Sequence, residues 1–194
     1  MRELQTGTKA ALAMGIVMMM AATTLGAESM GAPLPFSADW GYYENGEVLE
    51  GGTYHAGADA LRIDRIHGPE TDSQIYRFLE MTVHVLDHDA RNVSSSQFTE
   101  NPLERMFDVG RFGSPCVADA QTQRVGSETI DGRATEVWEC TVRNFEFTVW
   151  YCPRLQTPVR LVAEGHEDYF ALKNIREGAP ADELFAVPSG YTRR

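Results

Sequence analysis

The sequence is poor in cysteine and in basic residues. Its three cysteines, Cys116, Cys140 and Cys152, form no Cys-x-x-Cys motif, which excludes the common zinc and redox motifs. The 17 lysine and arginine residues stand against 28 acidic residues, giving a net charge of −11. An acidic chain without a basic stripe repels nucleic acid and anionic membrane surfaces at long range. We therefore expect no nucleic-acid partner.

Long apolar runs are also scarce, and the clearest one is short. Ala10–Ala22 is a stretch of 13 uncharged residues, whereas a membrane-spanning helix needs roughly 20. Basic residues precede this stretch and small residues follow it, which is the pattern of a cleavable signal peptide. We predict a signal peptide over residues 1–27, with cleavage after Ala27 or, alternatively, after Gly26.

The rest of the chain is expected to form one domain. Residues 28–35 are predicted to be a short linker, and residues 36–194 a single domain. No cysteine follows the cleavage zone, so we expect no lipid-modified N-terminus, and no transmembrane segment is predicted in the mature chain. The expected location is the periplasm or the secreted fraction. In such an oxidising compartment, two of the three cysteines are expected to pair.

Motifs for catalysis and metal binding are absent or stand in the wrong context. The sequence contains no Gly-x-Ser-x-Gly elbow of the hydrolase type. His84 and His88 have the spacing of a helical metal pair, but the alternation around them predicts a strand, on which they would lie about 13 Å apart. His55, His67 and His166 are isolated and expected at the surface. We predict no catalytic residue, no metal site and no cofactor.

What the sequence does contain is alternation of apolar and polar residues with a period of two, which predicts β-strands. The first such segment is Phe36–Tyr42, and tight turns such as Asn45-Gly46 and Asp131-Gly132 join later ones. Gly51-Gly52 predicts a bulge or bend in the second strand. Ten or eleven strands with mainly short connections predict an antiparallel sheet, and so many strands in one sheet must curl or split.

Two segments depart from this alternation. Asn101–Phe107 begins with Asn-Pro and continues with apolar residues at helical spacing, which predicts a short amphipathic helix. Pro180–Phe185 predicts a single helical turn. The predicted fold class is mainly β (α+β): a curved antiparallel sheet forming an open half-barrel, with one or two short helices over its concave face.

A predicted hairpin decides how the cysteines are expected to pair. With the turn at Arg143-Asn144, Cys140 lies opposite Phe147 on the core-facing side, and Cys152 falls five positions away on the other side. Cys116 follows the predicted helix, which should pack on the same concave face as Cys140. We therefore predict a Cys116–Cys140 disulfide that contributes about 3 kcal/mol, with Cys116–Cys152 as the alternative.

Several longer segments carry a resemblance to a known family. They are Phe36–Asp39, Val125–Glu139, Thr148–Trp150, Thr157–Arg160, Leu172–Gly178 and Leu184–Tyr191. Together they resemble a bacterial periplasmic domain of unknown function, which is similar in fold to the lipoprotein carriers LolA and LolB, the mycobacterial lipid carrier LppX and the sensor RseB. The resemblance implies an open half-barrel with helices over a hydrophobic mouth, and binding of an acyl chain or another apolar ligand.

Aromatic and aliphatic residues on the strands are the main candidates for a binding site. We expect an apolar cleft lined by Trp40, Tyr42, Tyr54, Leu61, Ile63, Trp138, Phe145, Phe147 and Tyr151. Each of these side chains alone is better explained as core packing, but as a set they are typical of an apolar pocket. The predicted function is a non-enzymatic protein that shelters a lipid or the acyl chain of an acylated protein. The alternative is a cell-envelope interaction or sensing module that uses the same fold to bind a protein partner without lipid cargo.

Overall fold

The computed structural model of the chain describes residues 34–67, 71–98, 114–116, 120–142 and 144–194. In this part of the chain twelve strands form one open sheet, in the spatial order β12-β6-β5-β4-β3-β2-β1-β11-β10-β9-β8-β7. The strands are β1 (Phe36–Glu44), β2 (Glu47–Ala56), β3 (Ala60–His67), β4 (Asp72–Arg77), β5 (Thr82–Asp87), β6 (Asn92–Gln97), β7 (Gln121–Ile130), β8 (Arg133–Val142), β9 (Phe145–Cys152), β10 (Thr157–Ala163), β11 (Tyr169–Glu177) and β12 (Thr192–Arg193). The predicted curved half-barrel, mainly β, is confirmed.

Neighbouring strands are antiparallel, with one exception that the sequence did not predict. β12 pairs with β6 in parallel, through Thr192 with Asn92 and Arg193 with Val93. The chain reaches β6 after a 3₁₀ turn at Asp182–Phe185, which confirms the helical turn predicted there. The predicted helix at Asn101–Phe107 lies outside the described residues.

The predicted turns and the predicted bulge are present. Asn45 and Gly46 both adopt positive φ, 51° and 86°, so the β1–β2 hairpin closes in two residues, as Asn-Gly favours. In β2 the register against β3 shifts between Gly51 and Gly52. A Cβ atom on Gly52 would lie 1.7 Å from the carbonyl oxygen of Asp64, so β3 approaches this point more closely than any side chain would permit.

The main hydrophobic core covers one face of the sheet, which we call the inner face. Its buried residues are Phe36, Ala38, Trp40, Tyr54, Ala56, Leu61, Ile63, Tyr76, Cys152, Leu155, Val159, Phe170 and Leu172. They come from seven strands and from the turn after β9. In β1–β3 and β11 the period-two alternation directs every second side chain to this face.

The opposite, outer face of β3–β6 carries a second core. The C-terminal strap, residues 182–194, crosses these strands, and Phe185 is buried against Ala60, Ile75, Leu86 and Val93. Two further residues of the strap, Val187 and Tyr191, pack against the same cluster. This half of the sheet is therefore covered on both faces.

A third cluster surrounds the disulfide. Cys116 and Cys140 are bonded, which confirms the predicted pairing, and Cys152 is a buried free cysteine. The register also confirms the predicted hairpin, because Val142 pairs with Phe145 and Cys140 with Phe147.

Candidate functional site

Four of the nine predicted cleft residues lie together in the main core. Trp40, Tyr54, Leu61 and Ile63 belong to the same inner-face cluster and are almost fully buried. Tyr42 lies at the border of this cluster, with its ring centroid 6.2 Å from that of Trp40, and 38% of its surface is exposed. These five side chains form the candidate site, which we call the inner wall.

The other predicted residues lie on the β8–β9 hairpin, away from the inner wall. Trp138 and Phe147 pack against the disulfide cluster of Cys116, Cys140 and Val149. Phe145 is 67% exposed at the end of the hairpin. Tyr151 is buried and faces Glu136 in the register. The nine residues therefore divide into two groups, and Leu161 packs against both clusters.

Charged side chains of β2, β3 and β4 lie next to the inner wall. Arg65 lies between two acids, with its Nε 2.6 Å from Glu50 Oε1 and its Nη1 3.3 Å from Asp72 Oδ1. A pocket of about 90 Å³ joins these groups to the inner wall, and it is lined by Trp40, Tyr42, Glu50, Ile63, Arg65, Asp72 and Gln74. One side of the pocket is thus aromatic and aliphatic, and the other is charged.

A larger and more polar pocket begins on the other side of Asp72. It has a volume of about 520 Å³, within the range of small-molecule sites, and lies among β4–β6 and Arg194. Its charged lining consists of Asp72, Asp87, Asp89 and Arg194. The two pockets share Asp72, so an apolar surface and a polar one meet there.

Two buried tyrosines have strongly shifted acidity. Burial raises the pKa of Tyr54 far above its ordinary value of 10, and its hydrogen bond with Thr157 only partly opposes this. Burial also raises the pKa of Tyr151 to about 12, with the nearby Glu136 adding to the effect. Both hydroxyls stay neutral at physiological pH, so the described inner face gains no charge from them.

The outer face holds a buried polar network that sequence reasoning missed. Asp64 accepts hydrogen bonds from Thr53 (2.9 Å), from Arg62 Nε (2.7 Å) and from the fully buried Ser73. Burial by itself raises the pKa of Asp64, but the bonds from Ser73 and Arg62 and the charge of Arg62 outweigh it, so the pKa is lowered. His55, expected at the surface, lies 3.9 Å from the same carboxylate, and burial lowers its pKa.

The network extends to the C-terminal strap through His88. Nε2 of His88 lies 2.5 Å from Ser73 Oγ, and Nδ1 lies 2.5 Å from the Tyr191 hydroxyl. Ser73 donates its single proton to Asp64, so Nε2 of His88 donates to Ser73, while Nδ1 is bonded to the Tyr191 hydroxyl. Arg62 also donates to the Leu184 carbonyl at 3.0 Å. These bonds hold the strap against β3–β5.

This arrangement of serine, histidine and aspartate differs from a hydrolase triad. In a triad the carboxylate orients the histidine, which in turn takes the proton of the serine. Here the carboxylate of Asp64 accepts a hydrogen bond directly from the Ser73 hydroxyl, and the Tyr191 hydroxyl is bonded to the other nitrogen of His88. Ser73 is also fully buried. The geometry is that of a structural network.

Neither a metal-binding group nor a membrane-spanning helix is present among the described residues. Among them, no three side chains of His, Cys, Asp or Glu stand together as a metal site requires. In the same part of the chain, no helix has the length and apolar character needed to cross a membrane.

Comparison with known proteins supports the fold. No protein-family model and no curated protein matches the chain. An uncharacterized conserved protein from Thermus thermophilus is similar in structure, with 11% identity, a TM-score of 0.57, and coverage of 86% of this chain and 94% of that chain. A chain of the Pseudomonas aeruginosa MucA/MucB complex has 12% identity and a TM-score of 0.50, over 81% of this chain. These structures therefore share the overall fold of this chain.

A third similar structure is that of PNGF-II. It aligns with 83% of this chain at 9% identity and a TM-score of 0.55. This chain spans 31% of that protein and 56% of the chain in the MucA/MucB complex. At these identities the likeness concerns the fold alone, so the function must be argued from the site.

Proposed function

We propose that the protein is a non-enzymatic binding protein of the periplasm, which shelters a lipid or the acyl chain of a lipoprotein against the inner wall. The observation that carries this proposal is the mixed pocket beside Tyr42. There, the apolar side chains of Trp40 and Ile63 adjoin the charged groups of Glu50, Arg65 and Asp72. An amphiphile has this same division into an apolar chain and a polar end.

The affinity of such a complex would come mainly from the acyl chain of the ligand. Each methylene removed from water contributes about 0.8 kcal/mol, so several methylenes against Trp40, Tyr42 and Ile63 would give useful affinity without any ion pair. The pocket of about 90 Å³ is smaller than the several hundred Å³ typical of a small-molecule site. We therefore expect one end of the ligand at this pocket and the remainder along the inner face.

The proposed location has two lines of support. Residues 1–27 have the pattern of a signal peptide, and the Cys116–Cys140 disulfide is the kind of bond that persists in oxidising compartments. The resemblance of the sequence to a bacterial periplasmic domain is compatible with this location.

Native mass spectrometry of the protein purified from its own periplasm tests the proposal directly. We expect a fraction of the protein to carry an added mass equal to that of a lipid. After delipidation, the protein should take up a fluorescent fatty acid. Absence of both the added mass and the uptake would overturn the proposal.

Two substitutions locate the site on the sheet. Tyr42→Asp places a charge at the border of the inner wall, and we expect it to weaken fatty-acid binding about tenfold or more. Phe145→Asp is the matched control, because Phe145 is also an exposed aromatic residue but lies at the end of the hairpin. Equal losses in both variants would contradict a site at the inner wall.

A second candidate function is binding of a protein partner in the cell envelope. It is favoured by the structural likeness to a chain of the MucA/MucB complex, which is an assembly of two proteins. Affinity capture from a crosslinked periplasm would recover a stable partner of defined stoichiometry, together with protein that is free of lipid. That result would replace the first candidate with the second.

A further inference from the structure

The outer face of the sheet carries a row of aromatic and cationic side chains that neither candidate function uses. The row crosses four adjacent strands and consists of Trp150 on β9, Arg160 on β10, Tyr169 and Lys173 on β11, and Tyr43 on β1; we call it the cation–aromatic strip. In the register, Trp150 pairs with Arg160, and Tyr43 pairs with Tyr169. Arg160 pairs with Ala171, which lies between Tyr169 and Lys173.

Each cation of the strip is held over aromatic rings. The guanidinium carbon of Arg160 lies 4.9 Å from the ring centroid of Trp150 and 4.7 Å from that of Tyr169. Lys173 Nζ lies 3.6 Å from the centroid of Tyr43 and 5.9 Å from that of Tyr169. Tyr43 and Tyr169 stack on each other with centroids 5.2 Å apart. Both cations therefore lie within 6 Å of the ring centroid of Tyr169.

The two cations have no carboxylate partner within 4 Å among residues 34–67, 71–98, 114–116, 120–142 and 144–194. Two acids beside the strip accept hydrogen bonds from neutral groups. Asp39, opposite Lys173, accepts a hydrogen bond from Asn174 at 2.7 Å. Glu128 accepts one from Trp150 Nε1 at 2.8 Å. By contrast, Arg154 and Arg124 each pair with a glutamate.

Stacking prepares these groups to bind an anion. A guanidinium that lies flat over a ring directs its N–H bonds outward in its own plane, where they match the oxygens of a phosphate. The Nε of Arg160 is buried and has no hydrogen-bond partner in the described structure. The rings also restrict the two flexible side chains, so less conformational entropy is lost when a ligand binds.

We propose that the cation–aromatic strip binds a phosphate group, with Arg160 as the planar donor and Lys173 as the second charge. The phosphate can belong to a soluble phosphate ester or to a phospholipid head group. This inference is independent of the proposed function, because Arg160, Tyr169 and Lys173 alternate with the inner-face residues Leu161, Phe170 and Leu172 and so lie on the opposite face of the sheet from the inner wall.

The sequence offers a selective reporter for this proposal. Its two lysines are Lys9, in the predicted signal peptide, and Lys173. Reductive methylation with ¹³C-formaldehyde keeps the charge of the lysine, so the mature protein gives one dimethyl-lysine NMR signal, separate from that of the N-terminal amine. Inorganic phosphate, titrated at constant ionic strength against chloride, should shift the Lys173 signal in a saturable way.

Two variants decide whether the phosphate response of the Lys173 signal comes from binding at the strip. We expect Arg160→Gln to raise the half-saturating phosphate concentration at least tenfold. Arg154→Gln should leave it unchanged, because Arg154 is an exposed cation that already pairs with Glu177. Circular dichroism and fatty-acid uptake should be unchanged in both variants. A folded Arg160→Gln protein with wild-type phosphate response, or an equal shift with chloride alone, would overturn the proposal.

Vesicles distinguish the two sources of phosphate. Sedimentation with phosphatidylglycerol vesicles but not with phosphatidylcholine vesicles, abolished in the Arg160→Gln/Lys173→Gln variant, would identify a lipid head group. A saturable response to inorganic phosphate and to glycerol 3-phosphate, without vesicle binding, would identify a soluble ester. Failure of both the phosphate titration and the vesicle assay would overturn the proposal, whatever the result of fatty-acid uptake.

Discussion

In the half of the sheet built from β1–β6, the inner face is covered and the outer face is covered over β3–β6, whereas the half built from β7–β9 carries less cover from the described residues. In the first half, the main core packs on the inner face, and the strap with its polar network packs on the outer face. In the second half, a smaller cluster surrounds the disulfide, and every residue of β7 except Ile130 is exposed. Among the described residues, one half is thus stabilised by layers of side chains, and the other by a smaller cluster built around a covalent bond.

This difference shows how one continuous sheet can be stabilised unevenly. A sheet needs a packed face to be stable, and a strand at its edge needs protection against pairing with another chain. β6 is partly covered by β12, while β7 has a bulge between Arg124 and Gly126 that interrupts its regular edge. The two edges of the sheet are therefore protected by different means.

The largest effect is expected from Gly52→Ala in the layered half. The new methyl group would meet the Asp64 carbonyl at 1.7 Å, so β2 or β3 must move and the inner core must open. We expect a loss of about 4 kcal/mol or more in the free energy of unfolding. Urea denaturation measures this loss, and a wild-type midpoint would contradict the close approach of the two strands.

Removal of the disulfide is expected to act mainly on the other half. Its cysteines are 24 residues apart, so Cys116→Ser/Cys140→Ser should lower the free energy of unfolding by about 3 kcal/mol. Hydrogen exchange should increase in β8 and β9 more than in β1–β4. Uniformly faster exchange across the whole sheet would show that the two halves do not differ in this way.

Asp64→Asn tests the polar network under the strap. The amide cannot accept all the bonds that the carboxylate accepts, so we expect a loss of about 2 kcal/mol at neutral pH. Because the pKa of Asp64 is lowered on folding, its contribution is present above the unfolded value of 3.8 and is lost as pH falls below it. The difference between variant and wild type should therefore shrink in acid.

His55 contributes a second pH dependence in the same half. Burial lowers its pKa, so the folded state favours the neutral ring, and stability falls as pH drops below the unfolded value of 6.5. His55→Gln should flatten the stability profile between about pH 6.5 and 5. Thermal unfolding across this range measures the effect, and a profile as steep as that of the wild type would refute this role of His55.

The smallest effects are expected at two matched hairpin turns, one in each half. Gly46 and Gly132 have φ of 86° and 77°, and a Cβ atom would meet nothing within 4 Å at either position. Gly46→Ala and Gly132→Ala should therefore each cost only backbone strain, about 1 kcal/mol. A clearly larger loss for Gly132→Ala would show that the less covered half depends more on its turn.

The elements that the sequence predicted well are those with short-range causes. Asn45-Gly46 sets a two-residue turn by its own backbone preferences, and the turn at residues 143–144 fixes the position of Cys140 opposite Phe147. This register was the basis for predicting the Cys116–Cys140 disulfide. The division of the predicted cleft could not be foreseen, because Trp40 and Phe147 both alternate as inner-face residues and only the three-dimensional packing separates them.

The features that sequence reasoning missed depend on residues far apart in the chain. Ser73, His88 and Tyr191 carry no common motif, and the network forms only because the strap returns to β6. The parallel pairing of β12 with β6 also forms only because the strap returns to this strand. A pattern of two residues, Thr192 and Arg193, is too short to predict a strand.

The returning strap has a consequence for how the protein acquires its structure. Ala60, Ile75, Leu86 and Val93 are buried only when Phe185 reaches them, and Phe185 comes near the end of the chain. The first six strands are therefore synthesised before the segment that covers these apolar side chains. Folding of this part of the sheet is complete only when the last residues of the polypeptide are available.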